Sequence, residues 1–161
     1  MEVKALYWKN RGELLVKNIK KRNMAAEYYE TSAEAVDAII KLIPAGSSVS
    51  WGGSVTLQQS GLYDALKKTD LNLLDRAEAQ GPDELSEIYH KALGCDYFIM
   101  SSNAISMNGE LVNTDGRGNR LAALVYGPEN VIVIAGMNKV AENVQEAESR
   151  VRNVASPQNA N

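Results

Sequence analysis

The run Tyr97-Phe98-Ile99-Met100 decides the fold of this chain. It shows no alternation of apolar and polar residues, so it predicts a strand that is buried on both faces, as strands of parallel sheets are. Val131–Ala135 repeats the pattern and is the clearest core strand of the sequence. Two such runs in one chain favour a sheet that is covered by other elements on both sides.

Shorter strands and helices alternate around these two runs. Strands separated by helices predict an α/β fold, a mostly parallel sheet with helices on both faces. The Asn108-Gly109 pair predicts a type I′ turn of a β-hairpin near 104–113. The other predicted strands are Ser48–Trp51 and Leu71–Leu74, and the predicted helices are Leu57–Lys68, Gly81–Gly94, Leu121–Tyr126 and Val140–Val154.

The segments before and after the predicted sheet are expected to belong to the same domain as the sheet. Residues 1–43 read as an N-terminal segment of two helices packed on the sheet, and residues 155–161 read as a polar tail. A length of 161 residues is enough to bury a core without disulfides or metals. We therefore expect a single α/β domain over residues 1–161.

Bulk composition excludes several classes of protein. The charged share is 23% and the net charge is −3, which argues against a nucleic-acid binder held by phosphate contacts. One Cys and one His are too few ligands for a zinc or iron–sulfur site made by protein side chains alone, so no metal or cofactor is expected. We see no apolar run long enough to span a membrane and no secretory signal, so a cytoplasmic location is expected. A homodimer is the base-rate expectation.

A glycine-rich turn follows the strand at Ser48–Trp51. Gly52 and Gly53 would let the backbone approach a ligand, and Ser54 and Thr56 add hydroxyl donors. A helix starting there would also present free N–H groups to an anion. A plain tight turn with a hydroxyl cap explains the same residues equally well.

A second polar segment, residues 101–120, follows the deciding strand. Asn108 is explained by the hairpin, whereas the carboxylate of Asp115, with two glycines and two arginines close to it in sequence, suits the clamping of a substrate carboxylate or phosphate. The alternative is an internal Asp115–Arg120 pair that fixes the loop. The candidate ligand-binding residues here are Asn103, Asn113, Asp115, Gly116, Arg117, Gly118, Asn119 and Arg120.

Two carboxylates are candidate acid/base residues, Asp96 and Asp115. Asp75-Arg76 follows a predicted strand and is expected at the same carboxyl edge of the sheet, where ligands bind in open α/β folds. The one histidine, His90, lies within a predicted helix, so no Ser-His-Asp or Cys-His set can be assembled.

The series of motifs resembles the LUD (lactate-utilisation) domain family over nearly the whole chain. Each motif alone is unspecific, but their order and spacing agree together. The motifs are Trp51–Leu57, Asn103-Ala104, Asn108-Gly109, Leu111–Asn113, Asp115–Arg120, Gly127-Pro128, Gly136–Lys139 and Arg150–Ala160.

This resemblance implies the fold of the ribose-phosphate isomerase, glucosamine-phosphate deaminase and CoA-transferase superfamily. Gly94-Cys95-Asp96 with Asn108-Gly109 and Asn113 is similar to a pattern of the sugar-phosphate isomerases, in which the aspartate is an acid/base residue. The lysine of that pattern is replaced here by Thr114-Asp115, which weakens the isomerase reading. Some LUD proteins carry a cysteine-rich tail with iron–sulfur chemistry, and this is not carried over to the present sequence.

Three functions remain open at this point. The first is a component of lactate utilisation, the oxidation of L-lactate to pyruvate, that binds a small anionic metabolite beside other proteins of that system. The second is a non-catalytic binding or assembly module. The third is a stand-alone enzyme acting on a sugar phosphate or an acyl-CoA.

Overall fold

The structure is a computed structural model, and it describes residues 3–159. The chain forms two compact units, and each combines segments that are distant in sequence. The first unit contains the described residues of Met1–Thr31, Ser102–Thr114 and Ala135–Asn161, and the second contains Ser32–Ser101 and Asp115–Ile134. The expected single domain over residues 1–161 stays a prediction.

Helices and short strands make up most of the described chain. Turns of 3₁₀ helix lie at Arg76–Glu78 and Met137–Lys139, and a π-helical turn lies at Val151–Ala155. In chain order, the remaining elements are α1 (Val3–Lys20), α2 (Ser32–Leu42), β1 (Ser48–Trp51), α3 (Val55–Gln59), α4 (Leu62–Leu66), β2 (Asn72–Leu74), α5 (Pro82–Ala92), β3 (Tyr97–Met100), β4 (Ala104–Ser106), β5 (Leu111–Val112), α6 (Asn119–Tyr126), β6 (Asn130–Val133), β7 (Val140–Ala141), α7 (Val144–Arg150) and α8 (Ser156–Asn159).

The second unit is built on a four-stranded parallel sheet in the order β2-β1-β3-β6. Successive side chains of β3 point to opposite faces. Ile99 packs in one buried cluster with α2, α3 and α4, whereas Phe98 and Met100 pack in another with Ala92 of α5 and Ala123 of α6. Both faces of the sheet are therefore covered, which confirms the predicted α/β fold and explains why β3 has no polar alternation.

Because the four strands are parallel, their carboxyl ends lie at the same edge of the sheet. We call the residues that follow their last positions the carboxyl edge: Gly52 after β1, Asp75 after β2, Ser101 after β3 and Ile134 after β6. The connection after β1 carries the predicted site residues Gly52 and Gly53, and the connection after β3 leads to the predicted residue Asn103. The carboxyl edge is therefore the part of this unit in which the candidate site has to be sought.

The first unit holds a small sheet in the order β5-β4-β7, with β4 antiparallel to β5 and parallel to β7. The predicted hairpin is confirmed, but its turn is not type I′. Gly109 has φ +88°, whereas Asn108 does not have a positive φ. The Gly109 amide donates to Ser106 and the Ser106 amide donates to Glu110, so the loop has three residues, 107–109, with glycine in the left-handed position.

Two predicted helices are corrected by the structure. The helix expected at Leu57–Lys68 is two short helices, α3 and α4, separated by Gly61 at φ +78°. The helix expected at Val140–Val154 begins as the short strand β7, turns helical only at Val144, and continues beyond residue 154 to Asn159. Asn143 starts this helix by accepting a hydrogen bond from the Glu146 amide, so residues 156–159 are helical rather than a tail.

The other predicted strands and helices are confirmed, with shifts of at most two residues at their ends. Of the predicted N-terminal helices, α2 packs on the parallel sheet, and α1 belongs to the first unit. Within residues 3–159, no helix combines the length and the apolar character that crossing a membrane requires.

Candidate functional site

The glycine turn after β1 is held tightly at the carboxyl edge. The Gly52 amide donates to the Ile99 carbonyl at 2.9 Å, which extends the pairing of β1 with β3. A Cβ atom added to Gly52 would lie 3.2 Å from Cδ of Arg120. Gly52 is therefore a packing position for the aliphatic stem of Arg120, which brings together two of the predicted site residues.

Tyr63 of α4 fixes the same turn from the other side. Its hydroxyl donates to the Gly52 carbonyl at 3.3 Å and accepts from the Ser54 amide. Burial raises the pKa of Tyr63, and this effect outweighs the opposing hydrogen bond from Ser54. The Ser54 side chain makes no capping bond to α3, so the sequence-predicted hydroxyl cap does not form, and Thr56 lies half-buried in the first turn of that helix.

Asp115 stabilises the start of α6. Its Oδ2 atom accepts from the amides of Arg120 at 3.0 Å and Leu121 at 3.2 Å, and it lies 3.8 Å from Nε of Arg120. These amides belong to the first turn of the helix, where a carboxylate satisfies donors that have no helical partner. Gly118 precedes the helix at φ +81°. The internal Asp115–Arg120 pair, one of the two readings of this loop, is therefore present.

Arg120 is itself a braced residue. Its Nη1 atom donates to the Ser101 carbonyl at 3.0 Å, and its side chain is 12% exposed. Burial lowers the pKa of Arg120, and the neighbouring Asp115 carboxylate opposes that effect. An arginine keeps its charge at neutral pH despite such a shift. The buried positive charge of Arg120 thus links the end of β3 to the start of α6.

Arg76 is a residue of this edge that was not among the predicted site residues. It follows β2, and a Cβ atom added to Gly53 would overlap Nη2 of its guanidinium. The preceding Asp75 is buried, accepts from the Ala77 amide at 2.9 Å, and pairs with Lys67 at 3.8 Å. The side chain of Arg76 is half-buried and forms no ion pair or hydrogen bond with a described residue. The sequence signal was its position directly after a strand.

A narrow crevice opens between the sheet, α5 and α6 beside Arg76. Its volume of about 10 Å³ is enough for about one water molecule. Its wall combines apolar side chains with polar ones, and the polar residues are Ser50, Arg76, Tyr89 and Asn119.

The remaining predicted residues of the 115–120 loop face outward. Gly116 has no atom within 4 Å of an added Cβ, and Arg117 is exposed without an ion pair among the described residues. A ligand role for them stays a prediction.

Asn103 and Asn113 belong to the first unit and stabilise its loops. Oδ1 of Asn113 accepts from the Asn103 amide at 3.0 Å, and Oδ1 of Asn103 accepts from the Thr114 amide at 3.0 Å. Arg150 donates to the Asn103 carbonyl as well. The Oδ1 atoms of both side chains thus stabilise backbone amides of the loops, and a ligand role for the two residues stays a prediction.

Asp96 lies at the amino end of β3, one residue before the strand begins, and not at the carboxyl edge. Its Oδ2 atom accepts from the amide and the hydroxyl of Ser48, both at 2.7 Å. These bonds lower the pKa of Asp96, the Ser48 side chain contributing most. The structure therefore does not bring the two candidate acid/base residues together. Among residues 3–159, no three His, Cys, Asp or Glu side chains are grouped as metal ligands would be.

Fold and site together define a class: an α/β protein with a cationic, glycine-lined carboxyl edge on a parallel sheet. The family model described as LUD domain matches residues 12–161. This match covers most of the chain, so the protein belongs to the LUD domain family, and the family as a whole points to lactate utilisation. No curated protein and no solved structure matches the chain significantly.

Proposed function

We propose that this protein is a component of lactate utilisation that binds a small carboxylate at the carboxyl edge of its parallel sheet. The observation that carries the proposal is the arrangement of Arg76 and Arg120 against two consecutive glycines, Gly53 and Gly52. Guanidinium groups bind carboxylates through paired hydrogen bonds, and glycine lets the ligand approach the backbone. Family membership supplies the metabolic context.

The proposal assigns this chain the binding of L-lactate or pyruvate and leaves the electron transfer of lactate oxidation to other proteins of the system. A cytoplasmic location stays a prediction. So does the placement in the isomerase and CoA-transferase superfamily, for which the parallel sheet and the glycine turn are consistent features.

A non-catalytic binding or assembly module is the second candidate, and one specific observation favours it over an enzyme. Asp115 already accepts two backbone amides and faces Arg120, so its carboxylate is engaged in holding α6. Asp96 lies at the other end of the strands. An enzyme acting on a sugar phosphate or an acyl-CoA would need a general base at the carboxyl edge, and neither aspartate is placed there in a free form.

Thermal unfolding in the presence of candidate ligands tests the binding. L-lactate and pyruvate are compared with inorganic phosphate, ribose 5-phosphate and acetyl-CoA, at equal ionic strength. A ligand present at about 100 times its Kd should add about 2.7 kcal/mol to the free energy of unfolding. Stabilisation by the carboxylates supports the proposal, and stabilisation by phosphorylated compounds or CoA esters alone would transfer support to the enzyme reading.

The cellular role needs a separate test. Deletion of the gene should impair growth on L-lactate as the carbon source and leave growth on glucose unchanged. Normal growth on lactate would contradict the role in lactate utilisation, whatever the protein binds in vitro.

A further inference from the structure

We propose that Arg76 is the residue that binds the oxyanion of the ligand, and that Arg120 positions the turn without touching the ligand. This inference rests on the proposed function, since it divides two roles within the same site. It names a contact residue that the family match and the sequence motifs do not assign.

Most of the arginines already have partners within the protein. Arg11 pairs with Glu142, Arg22 with Glu110 and Arg120 with Asp115. Arg150 donates to the carbonyls of Asn103 and Asn138. Arg117 and Arg152 are exposed. In the described part of the chain, Arg76 is thus the half-buried arginine without an acidic or carbonyl partner.

The partial burial of Arg76 without a partner costs free energy. A cation that is partly removed from water loses hydration energy, and this loss is normally offset by a counter-charge or by hydrogen bonds. The neighbouring carboxylate of Asp75 is not the counter-charge of Arg76, because it pairs with Lys67 and accepts from the Ala77 amide. An external oxyanion would supply the missing partner of Arg76.

The guanidinium of Arg76 is accessible to a ligand from the crevice. Arg76 lies at the crevice together with Asn119, whose amide can donate to the same oxyanion. The crevice interior has room for about one water molecule and none for a carbon chain. The ligand therefore binds through its charged head at the mouth of the crevice, with the rest directed away from the apolar wall.

Gly53 gives the arrangement its structural signature. Its Cβ position is filled by the guanidinium of Arg76, so any side chain at residue 53 would displace that group. Gly53 does not have a positive φ, and alanine is therefore compatible with the backbone there. Gly53→Ala thus moves the charge of Arg76 without removing it.

The test is isothermal titration calorimetry with sodium L-lactate and, separately, sodium phosphate. The variants are Arg76→Gln, Arg76→Lys and Gly53→Ala, and Arg152→Gln controls for the loss of one positive charge at an exposed site. We expect L-lactate binding to weaken about 10- to 100-fold in Arg76→Gln, the range for a hydrogen bond to a charged group. Arg76→Lys should recover part of the loss, because it keeps the charge without the paired donors. Arg152→Gln should bind like the wild type.

A second readout separates ligand contact from structural support. Without ligand, Arg76→Gln should unfold at the same urea concentration as the wild type or a higher one, because a desolvated cation is removed. A clear loss of stability in the ligand-free variant would overturn the proposal.

The titrations distinguish a failure of the role of Arg76 from a failure of the proposed function. Wild-type binding of lactate that Arg76→Gln and Gly53→Ala leave unchanged overturns the role of Arg76 alone. Failure of the wild type to bind either lactate or phosphate overturns the proposed function and with it this inference. Binding of phosphate but not lactate, with the same dependence on Arg76, supports Arg76 as the oxyanion contact and overturns the carboxylate as its ligand.

Discussion

The two glycine-containing loops at the carboxyl edge differ in how their neighbouring arginines are held. In the 115–120 loop, Arg120 is bound to Ser101 and lies beside Asp115, and the loop closes on itself. Against the 52–54 turn, Arg76 rests on glycine without an internal counter-charge. Both segments are rich in glycine and polar residues, but in the 115–120 loop Asp115 and Arg120 are hydrogen-bonded within the protein. The difference predicts that substitutions in the first loop change stability, whereas those at Arg76 change binding.

Removal of the Asp115 carboxylate should have the largest effect. Asp115→Ala takes away the oxygen that accepts from two amides at the start of α6, and with it the counter-charge of a mostly buried arginine. We expect the free energy of unfolding in urea to fall by about 2–3 kcal/mol, from the loss of a cap and of a partly buried ion pair. Asp115→Asn is the matched control, because it keeps an oxygen acceptor and should lose less. Unchanged stability with abolished ligand binding would instead make Asp115 a ligand or catalytic residue.

A direct comparison of the two arginines should give the next largest effect. Arg120→Gln removes the hydrogen bond to Ser101 and the positive charge beside Asp115 but keeps Cγ and Cδ against Gly52, so we expect a loss of about 1–2 kcal/mol in unfolding free energy. Arg76→Gln should remain within about 0.5 kcal/mol of the wild type or exceed it, as substitutions outside a bonded network do. Equal losses in both variants, measured under the same denaturant conditions, would erase the distinction between the loops.

The hydroxyl of Tyr63 offers a smaller test, because it fixes the turn and not the 115–120 loop. Tyr63→Phe removes a hydrogen bond to Gly52 and should lower the unfolding free energy by about 1 kcal/mol at pH 7. Phenylalanine is the closest match in shape, so packing against Trp51 is retained. Hydrogen exchange of the backbone amides measures the effect on each loop separately. Equally faster exchange in the 52–54 turn and the 115–120 loop would contradict a local role of the Tyr63 hydroxyl.

The pH dependence of the same variant has a defined sign. Burial raises the pKa of Tyr63 above its ordinary 10.0, so the folded protein holds this proton more firmly than the unfolded chain does. The stability that comes from the neutral phenol is present below about pH 10 and is lost as the pH rises through the folded pKa. Tyr63→Phe should therefore lose less stability than the wild type on the alkaline side. Parallel pH profiles of the two proteins would count against the buried phenol.

Much of the fold could be predicted because it depends on local patterns. The unbroken apolar run of β3 and the motif series identified the sheet and the family. The prediction of a type I′ turn was wrong because the rule for Asn-Gly pairs assumes a loop of two residues, whereas this loop has three. Gly109 is also constrained by α1, whose Ile19 backbone lies 3.0 Å from an added Cβ, and no local pattern contains that contact.

The candidate site was harder to predict because its residues differ in their partners rather than in their type. Asp115 and Arg120 looked like a ligand clamp in the sequence, and the structure shows them bound to α6 and to Ser101. The sequence placed Arg76 at the carboxyl edge, directly after a strand, but did not single it out as a site residue. What distinguishes it is the contact with Gly53, some twenty positions away in sequence, which only the folded chain creates.

The smallest predicted effect concerns Asp96 and compares the two ends of the sheet. Hydrogen bonds from Ser48 hold the pKa of Asp96 below its ordinary 3.8. The corresponding stability is present above the unfolded pKa and is lost as the pH falls through the folded one. Ser48→Ala should raise the pKa of Asp96 part of the way back, since the residue 48 amide still donates, and a carboxyl NMR titration measures this shift. Ser47→Ala is the neighbouring control and should leave the pKa of Asp96 unchanged.

A general base works best with a pKa near the working pH, so a carboxylate held low by two hydrogen bonds is poorly suited to that task. If Ser48→Ala left the pKa of Asp96 unchanged, the structural explanation of this residue would fail, and Asp96 would return as a candidate for proton transfer at the amino end of the strands.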